Sequence, residues 1–424
     1  MATTEPINPA RSRAFVMFML VLVYAFNFID RQIIGILAVP IKAELGLSDS
    51  QLGLMGGLAF AVFYTTLGIP IAMLADRYSR TWILTVSLTV WSAMTAVCGL
   101  VTNFWQLFLA RLGVGIGEAG GVAPSYSLIC DYFPGPQRAR AISVYSFGIP
   151  IGSALGMVFG GFIASRIDWR YAFFAVGLAG VVLAPIFKLT VPEPVRGQFD
   201  EGGRVESSSL GVTLRTLWGK PSFWFMALGA SSASMMGYGI FFWLPSFFVR
   251  SFDLPLLDAS LLFGAILLFG GLAGIWLGGW LGDRFGKRDR RAYALVPAIA
   301  FVATIPFFAA AMLSTNLWLT VGLLMIPIAL SLTWLGPLVS AVQHIVGPGM
   351  RATTSAIYLF INNLLGLGVG TFALGLLSDK LTVRFGDDAL RYSILSGTLF
   401  YVMAAIFLWF ASRWLRQDWE EAAD

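Results

Sequence analysis

The chain has 424 residues, of which 57% are hydrophobic and only 12% charged, against roughly a quarter charged in soluble domains. A globular domain of this length cannot hide so much apolar surface, which excludes a water-soluble enzyme or binding module and makes a bilayer the natural solvent. The net charge of +5 comes from short basic clusters between apolar runs, which reads as membrane orientation and not as nucleic-acid binding.

Residues 1–13 form a polar tail containing Pro6 and Pro9, expected on the cytoplasmic side. No short cleavable signal precedes the first long apolar run, so no removed peptide is expected. Twelve runs then reach the length of about 20 residues that a bilayer needs. The first six cover about 14–39, 50–75, 82–102, 105–131, 140–166 and 170–191; the second six about 222–250, 259–283, 292–313, 317–346, 351–378 and 391–415. All should be α-helices, because in lipid each backbone group needs a partner within its own segment. The fold class is therefore an all-α membrane protein of two six-helix bundles, 14–191 and 221–415.

Between the bundles lies the longest polar stretch, 192–220, with Pro192, Pro194, Gly202-Gly203 and three consecutive serines from Ser207, which reads as a linker. Leu210, Leu214, Leu217 and Trp218 recur at helical spacing, so its end should be an amphipathic helix on the membrane surface. Residues 416–424 complete the chain as a second cytoplasmic tail. Basic residues such as Arg77, Arg80, Arg138, Arg140, Arg288, Arg290 and Arg291 crowd one set of loops, and far fewer stand in the other set. That asymmetry puts both termini in the cytoplasm.

Four ionisable residues lie deep in the first bundle, where each costs roughly 2.5–3.5 kcal/mol to insert. They are Asp30 and Arg31 in span one, and Arg111 and Glu118 in span four. At about 1.5 Å rise per residue, Asp30 and Arg111 fall at similar depth, with Glu118 two turns further in. Two acids and two bases sum to zero, so one network is expected. Burial favours a neutral carboxyl and a nearby arginine favours the charged one. Re-pairing between states would let a proton bind on one side and leave on the other. Asp30 is the candidate carrier and Glu118 the second; the arginines stay charged throughout. The plainer reading is a static ion-pair network.

Smaller signals follow. Gly148, Gly152, Gly156 and Gly160 recur at every fourth position of span five, as in a close helix seam. Cys98 and Cys130 sit in apolar runs and read as core residues. Asn362 and Asn363 in span eleven read as interhelical glue. The single histidine, His344, cannot build a zinc site alone and reads as an inner-surface residue. The sequence has neither a metal-ligand or nucleophile motif nor a Walker loop, so an integral-membrane enzyme and ATP drive are both disfavoured and no cofactor is expected.

The acid–base pair closing span two recurs at the end of span eight. Asp76, Arg77 and Arg80 stand in the first copy, and Asp283, Arg284 and Lys287 in the second, with the two aspartates 207 positions apart. The pattern suits a charged latch between helices. These segments resemble the loop signature of the major facilitator superfamily, although Ala72 and Ser79 replace glycines usual in the first copy. The resemblance implies the major facilitator fold, alternating access by rocking of two bundles, and action as a monomer. Asn27-Phe28-Ile29-Asp30-Arg31, with Gly115-Ile116-Gly117-Glu118 through Ser127 and Asp131-Tyr132-Phe133-Pro134, is similar to bacterial members of the spinster family. That resemblance implies a lysophospholipid or sphingosine-phosphate cargo and proton coupling through the span-one aspartate. Phe28 departs from the family's tyrosine, and similar span-one text occurs in organic-anion symporters, the alternative reading. In this fold spans one, four, seven and ten line the cavity. Met236, Tyr238, Phe242, Trp243, Trp334 and Gln343 would then form a greasy wall for an acyl chain, opposite a charged wall for a headgroup.

Overall fold

A chain surrounded by hydrocarbon satisfies its backbone most simply as helices, and helices take up nearly all of the described residues in the computed structural model. Those residues are 9–196, 210–286, 288–347 and 350–420. Among the described residues, ten stretches are long and apolar enough to cross a membrane. The count falls below twelve for two local reasons. Span four is broken into Phe104–Glu118 and Val122–Tyr132, each part short, and spans eleven and twelve run together through Thr353–Trp419.

Side-chain caps start several spans. Ser48 and Gln51 form a reciprocal capping box ahead of the helix Asp49–Gly56. The Asn103 side chain accepts from Gln106 N–H at 3.0 Å, that of Asp168 from Arg170 N–H at 2.8 Å, and that of Asn316 from Leu319 N–H at 3.1 Å. Span one breaks after Ile36 and resumes as Ala38–Leu45; span two breaks at Gly57 and resumes as Leu58–Arg77. At the span-four break Gly120 permits a close approach to span three, since a Cβ there would lie 2.0 Å from Ser87 Oγ.

Two compact units emerge. One comprises residues 1–33 and 63–203, the other residues 34–62 and 204–424. The second unit thus takes in the distal ends of spans one and two along with spans seven to twelve. Residues 197–209 of the expected linker lie outside the described residues. The expected surface helix forms at Leu210–Trp218. It buries Thr213 and Leu217, while Leu210, Leu214 and Trp218 face outward, so the apolar stripe is split between protein and surroundings. The last helix runs on to Glu420, so the start of the expected tail is helical.

Candidate functional site

The glycine seam of span five seats span one. A Cβ on Gly152 would lie 2.3 Å from the Ala25 carbonyl oxygen, and one on Gly156 would lie 2.9 Å from Ile29 Cα. Only glycine permits that approach. The seam therefore serves helix packing, and its contacts at Gly156, with Ile29 and Gln32, bracket Asp30.

Asp30 is fully buried, and neither of its carboxyl oxygens accepts a hydrogen bond. The Thr95 hydroxyl of span three, also buried and without a hydrogen-bond partner, stands nearby. Arg111, 1% exposed, reaches Asp30 through the main chain, with Nη1 donating to the Asp30 carbonyl oxygen at 3.4 Å. Arg31 turns the other way, as a step of about 100° on the helix requires. Its Nε donates to Glu118 Oε2 at 2.8 Å, with the side chains 10% and 0% exposed. The guanidinium lies over the Tyr64 ring at 4.6 Å and the Phe28 ring at 5.2 Å. Glu118 is the last residue of its helix, at the electronegative end of the dipole, so the Arg31 cation is what holds its carboxylate there. The four expected residues are thus in one unit, with Arg31–Glu118 as the direct ion pair and Asp30 met by Arg111 through its backbone.

In the first copy of the loop signature, Arg80 makes contacts that reach beyond its own loop. Arg80, 1% exposed, pairs with Asp131 of span four and donates from Nε to Glu193 Oε1 at 2.8 Å. Glu193, beyond span six, also accepts from Ser79 Oγ at 2.8 Å and Thr81 N–H at 2.9 Å, so its carboxylate caps the start of span three. Arg77 is exposed. In the second copy Arg284 is exposed and lies over the Trp280 ring at 5.1 Å. Lys287 and the side chains of Asp76 and Asp283 lie outside the described residues.

Major facilitator superfamily sequences match the chain over residues 20–371. The chain belongs to the major facilitator superfamily. An MFS-type efflux pump of Mycolicibacterium smegmatis (strain ATCC 700084 / mc(2)155) is 33% identical over 95% of this chain and 94% of the pump. Human protein spinster homolog 1 is 28% identical over 88% of this chain and 74% of the human protein. A crystal structure of a bacterial homolog to the human lysosomal transporter spinster, inward-facing and unoccupied, superposes with a TM-score of 0.88 at 32% identity, over 96% of this chain and 98% of the other. This major facilitator protein is therefore a spinster-type homologue with a transporter fold.

The greasy wall read from the sequence of this major facilitator protein is largely packing within the second unit. Met236 and Trp243 are fully buried, Phe242 is 4% and Trp334 7% exposed. Trp243 Nε1 donates to the Thr371 carbonyl at 2.9 Å, and the Phe242 ring fills the space beside Gly56. These side chains tie span seven to its neighbours. Tyr238 and Gln343 are half-buried, and Gln343 Nε2 donates to Ser355 Oγ at 3.4 Å. Asn362 accepts from Ser234 Oγ at 2.8 Å, joining spans seven and eleven. His344 stacks on Trp419 at 4.7 Å.

A second charged cluster was not singled out from sequence. Asp49, 1% exposed, accepts from Lys42 Nζ at 2.7 Å, from Arg250 Nη1 and Nη2 at 2.7 and 2.8 Å, and from Ser378 Oγ at 2.8 Å. Asp379 caps the same helix, accepting from Asp49 N–H at 2.9 Å and Ser50 N–H at 2.8 Å. The cluster fastens the turn between spans one and two to spans seven and eleven. Its capping box is visible in the sequence; its distant partners, some 200 to 330 positions away, are not.

Proposed function

We propose that this chain is a secondary active transporter that moves an amphipathic lipid, of lysophospholipid or sphingosine-phosphate type, by alternating access, with proton coupling through Asp30. The carrying observation is the division of labour between two buried carboxyls. Glu118 has a cation on it; Asp30 has its carboxyl oxygens unmatched and an arginine held at its main chain. A buried carboxyl without a counter-ion in contact is the group best suited to gain and lose a proton as its surroundings change. The spinster relatives support the lipid cargo, and the charges buried in the first unit suit a cargo with a polar end. The basic loops support an orientation with both termini cytoplasmic, and the same reading takes the protein as a monomer in the plasma (inner) membrane.

The test is transport in liposomes holding the purified protein. A fluorescently labelled lysophospholipid should accumulate when a pH gradient is imposed. Asp30→Asn should abolish that accumulation while the protein still folds. Accumulation at the wild-type rate in Asp30→Asn removes Asp30 from coupling. Failure of the wild type to move the lysophospholipid, with small organic anions moved instead, removes the lipid reading. Extraction and identification of lipids that co-purify with the protein checks the cargo independently.

A further inference from the structure

A threonine inside a helix commonly turns its hydroxyl back to the carbonyl four residues earlier. Span three does this twice. Thr85 Oγ1 donates to the Thr81 carbonyl oxygen at 2.7 Å, and Thr89 Oγ1 to the Thr85 carbonyl oxygen at 2.8 Å. Thr95, on the same helix, does not. It is fully buried, and its hydroxyl has no hydrogen-bond partner. A buried hydroxyl held off its own backbone is costly unless something else uses it.

The packing of span three shows what this hydroxyl faces. Span three meets span four at Trp91 and Met94, since a Cβ on Gly117 would lie 2.5 Å from Trp91 N and one on Gly113 2.5 Å from Met94 Cε. It meets span six at Ser92 and Ala96, since a Cβ on Gly180 would lie 2.1 Å from Ser92 Oγ and one on Gly177 2.4 Å from Ala96 N. At about 100° per residue, Thr95 projects about 40° from Trp91 and about 60° from Ser92, between the two contact faces. Span one lies there. The same Cβ on Gly180 would lie 3.7 Å from Phe26 Cδ1, which sets Phe26 of span one beside Ser92 of span three. Spans one and three run in the same direction, and one turn further along each come Asp30 and Thr95. The Thr95 hydroxyl accordingly stands beside the Asp30 carboxyl, with both residues 0% exposed.

The other charged and titratable groups near Asp30 are Arg111 and Glu118 of span four and Cys98 of span three, with Arg31 next to it in the chain. Arg111 donates to the Asp30 main chain, and Arg31 donates to Glu118. An arginine donates in every state, so it suits a carboxylate and not a carboxylic acid. A hydroxyl can donate to the carboxylate and, after turning about its Cβ–Oγ bond, accept from the acid. We propose that Thr95 is a positioning residue for proton exchange at Asp30, its hydroxyl donating to the carboxylate and turning to accept from the acid, so that neither form is left without a partner. The proton stays on the Asp30 carboxyl, and Thr95 neither gains nor loses one. This rests on the proton-coupled reading above and adds the group that makes both forms of Asp30 tenable in a buried site.

The first test needs no cargo. Infrared difference spectra of the purified protein between high and low pH should contain a carboxylic-acid carbonyl band that is absent in Asp30→Asn. That band should shift in Thr95→Val, which keeps the branched shape and loses the hydroxyl, and return toward its wild-type position in Thr95→Ser. The second test uses liposomes and the labelled lysophospholipid. Thr95→Val should melt near the wild-type temperature and exchange lipid down its own gradient within twofold of wild type, yet lose at least tenfold in accumulation driven by a pH gradient; Thr95→Ser should recover most of that loss. Should Thr95→Val fail to fold, Thr95→Ala against Thr95→Ser isolates the hydroxyl in both tests. The role of Thr95 is overturned by an unshifted band or wild-type accumulation in the variant without the hydroxyl. It is equally overturned if Thr95→Ser is as impaired as that variant, or if exchange and accumulation fall in parallel, which is the mark of packing alone. Loss of accumulation in Asp30→Asn beside unaltered Thr95→Val leaves the coupling reading standing and removes Thr95, whereas spectra of wild type and Asp30→Asn without a difference overturn both.

Discussion

At the scale of single residues, the buried charges of the first unit differ in what they have been given. Glu118 has one direct cation, and removing the acid leaves Arg31 buried without it. Glu118→Gln should therefore destabilise by about 3 kcal/mol and slow transport severalfold, read as a lower melting temperature in detergent and a lower liposome rate; unchanged values in both contradict the ion pair's role. Glu193 behaves differently because it lies beyond span six. Burial alone would raise it, but the Thr81 N–H, the Arg80 guanidinium and the Ser79 hydroxyl outweigh burial and hold it down at about 2, from an ordinary 4.5. A carboxylate lowered on folding stabilises fully above its unfolded value and loses that contribution as pH falls toward its folded one. Wild type and Glu193→Gln should thus differ most in melting temperature above pH 4.5 and converge as the pH falls toward 2. A constant difference across that window contradicts the capping role. Asp30, Arg31, Arg111 and Glu118 are legible in the sequence because charge in an apolar run is conspicuous. Their pairing is not, because which face of a helix meets which neighbour depends on the Gly152 and Gly156 contacts with span one.

At the scale of elements, the apolar runs declare the spans, and runs of this length admit few other structures in lipid. The breaks inside them are harder to read. Gly57 and Gly120 stand at the breaks in spans two and four, each pressed against a neighbour that is remote in sequence. For the same reason Trp243 and Met236 look like cavity residues in the sequence, where an aromatic facing a void and one facing a helix have the same spelling. The Asp49 cluster shows the converse. Lys42, Asp49, Arg250 and Asp379 look like ordinary loop charges, yet they bind the turn between spans one and two to spans seven and eleven. Arg250→Ala leaves a buried carboxylate short of two hydrogen bonds and should cost about 3 kcal/mol, whereas Arg384→Ala, at an exposed position, should change little. Equal melting temperatures for the two variants contradict the fastening role of the cluster.

At the scale of the whole molecule, the chain's two sequence halves and its two compact units do not coincide, since residues 34–62 belong with the second. The halves are legible from the repeat of Asp76-Arg77 and Asp283-Arg284 and from the polar stretch between them. The transfer of residues 34–62 is not, because it follows from the Asp49 contacts and from close approaches such as Gly53 to Thr371. The claim on which the account turns is that cargo movement carries a proton through Asp30. The most direct measurement is cargo-driven proton flux: liposomes containing the protein and a trapped pH-sensitive dye, no imposed pH gradient, and a lysophospholipid gradient applied from one side. The account predicts a change in internal pH that follows lipid movement in the wild type and is absent in Asp30→Asn. Lipid movement in the wild type with no change in internal pH, or an equal pH change in Asp30→Asn, contradicts it.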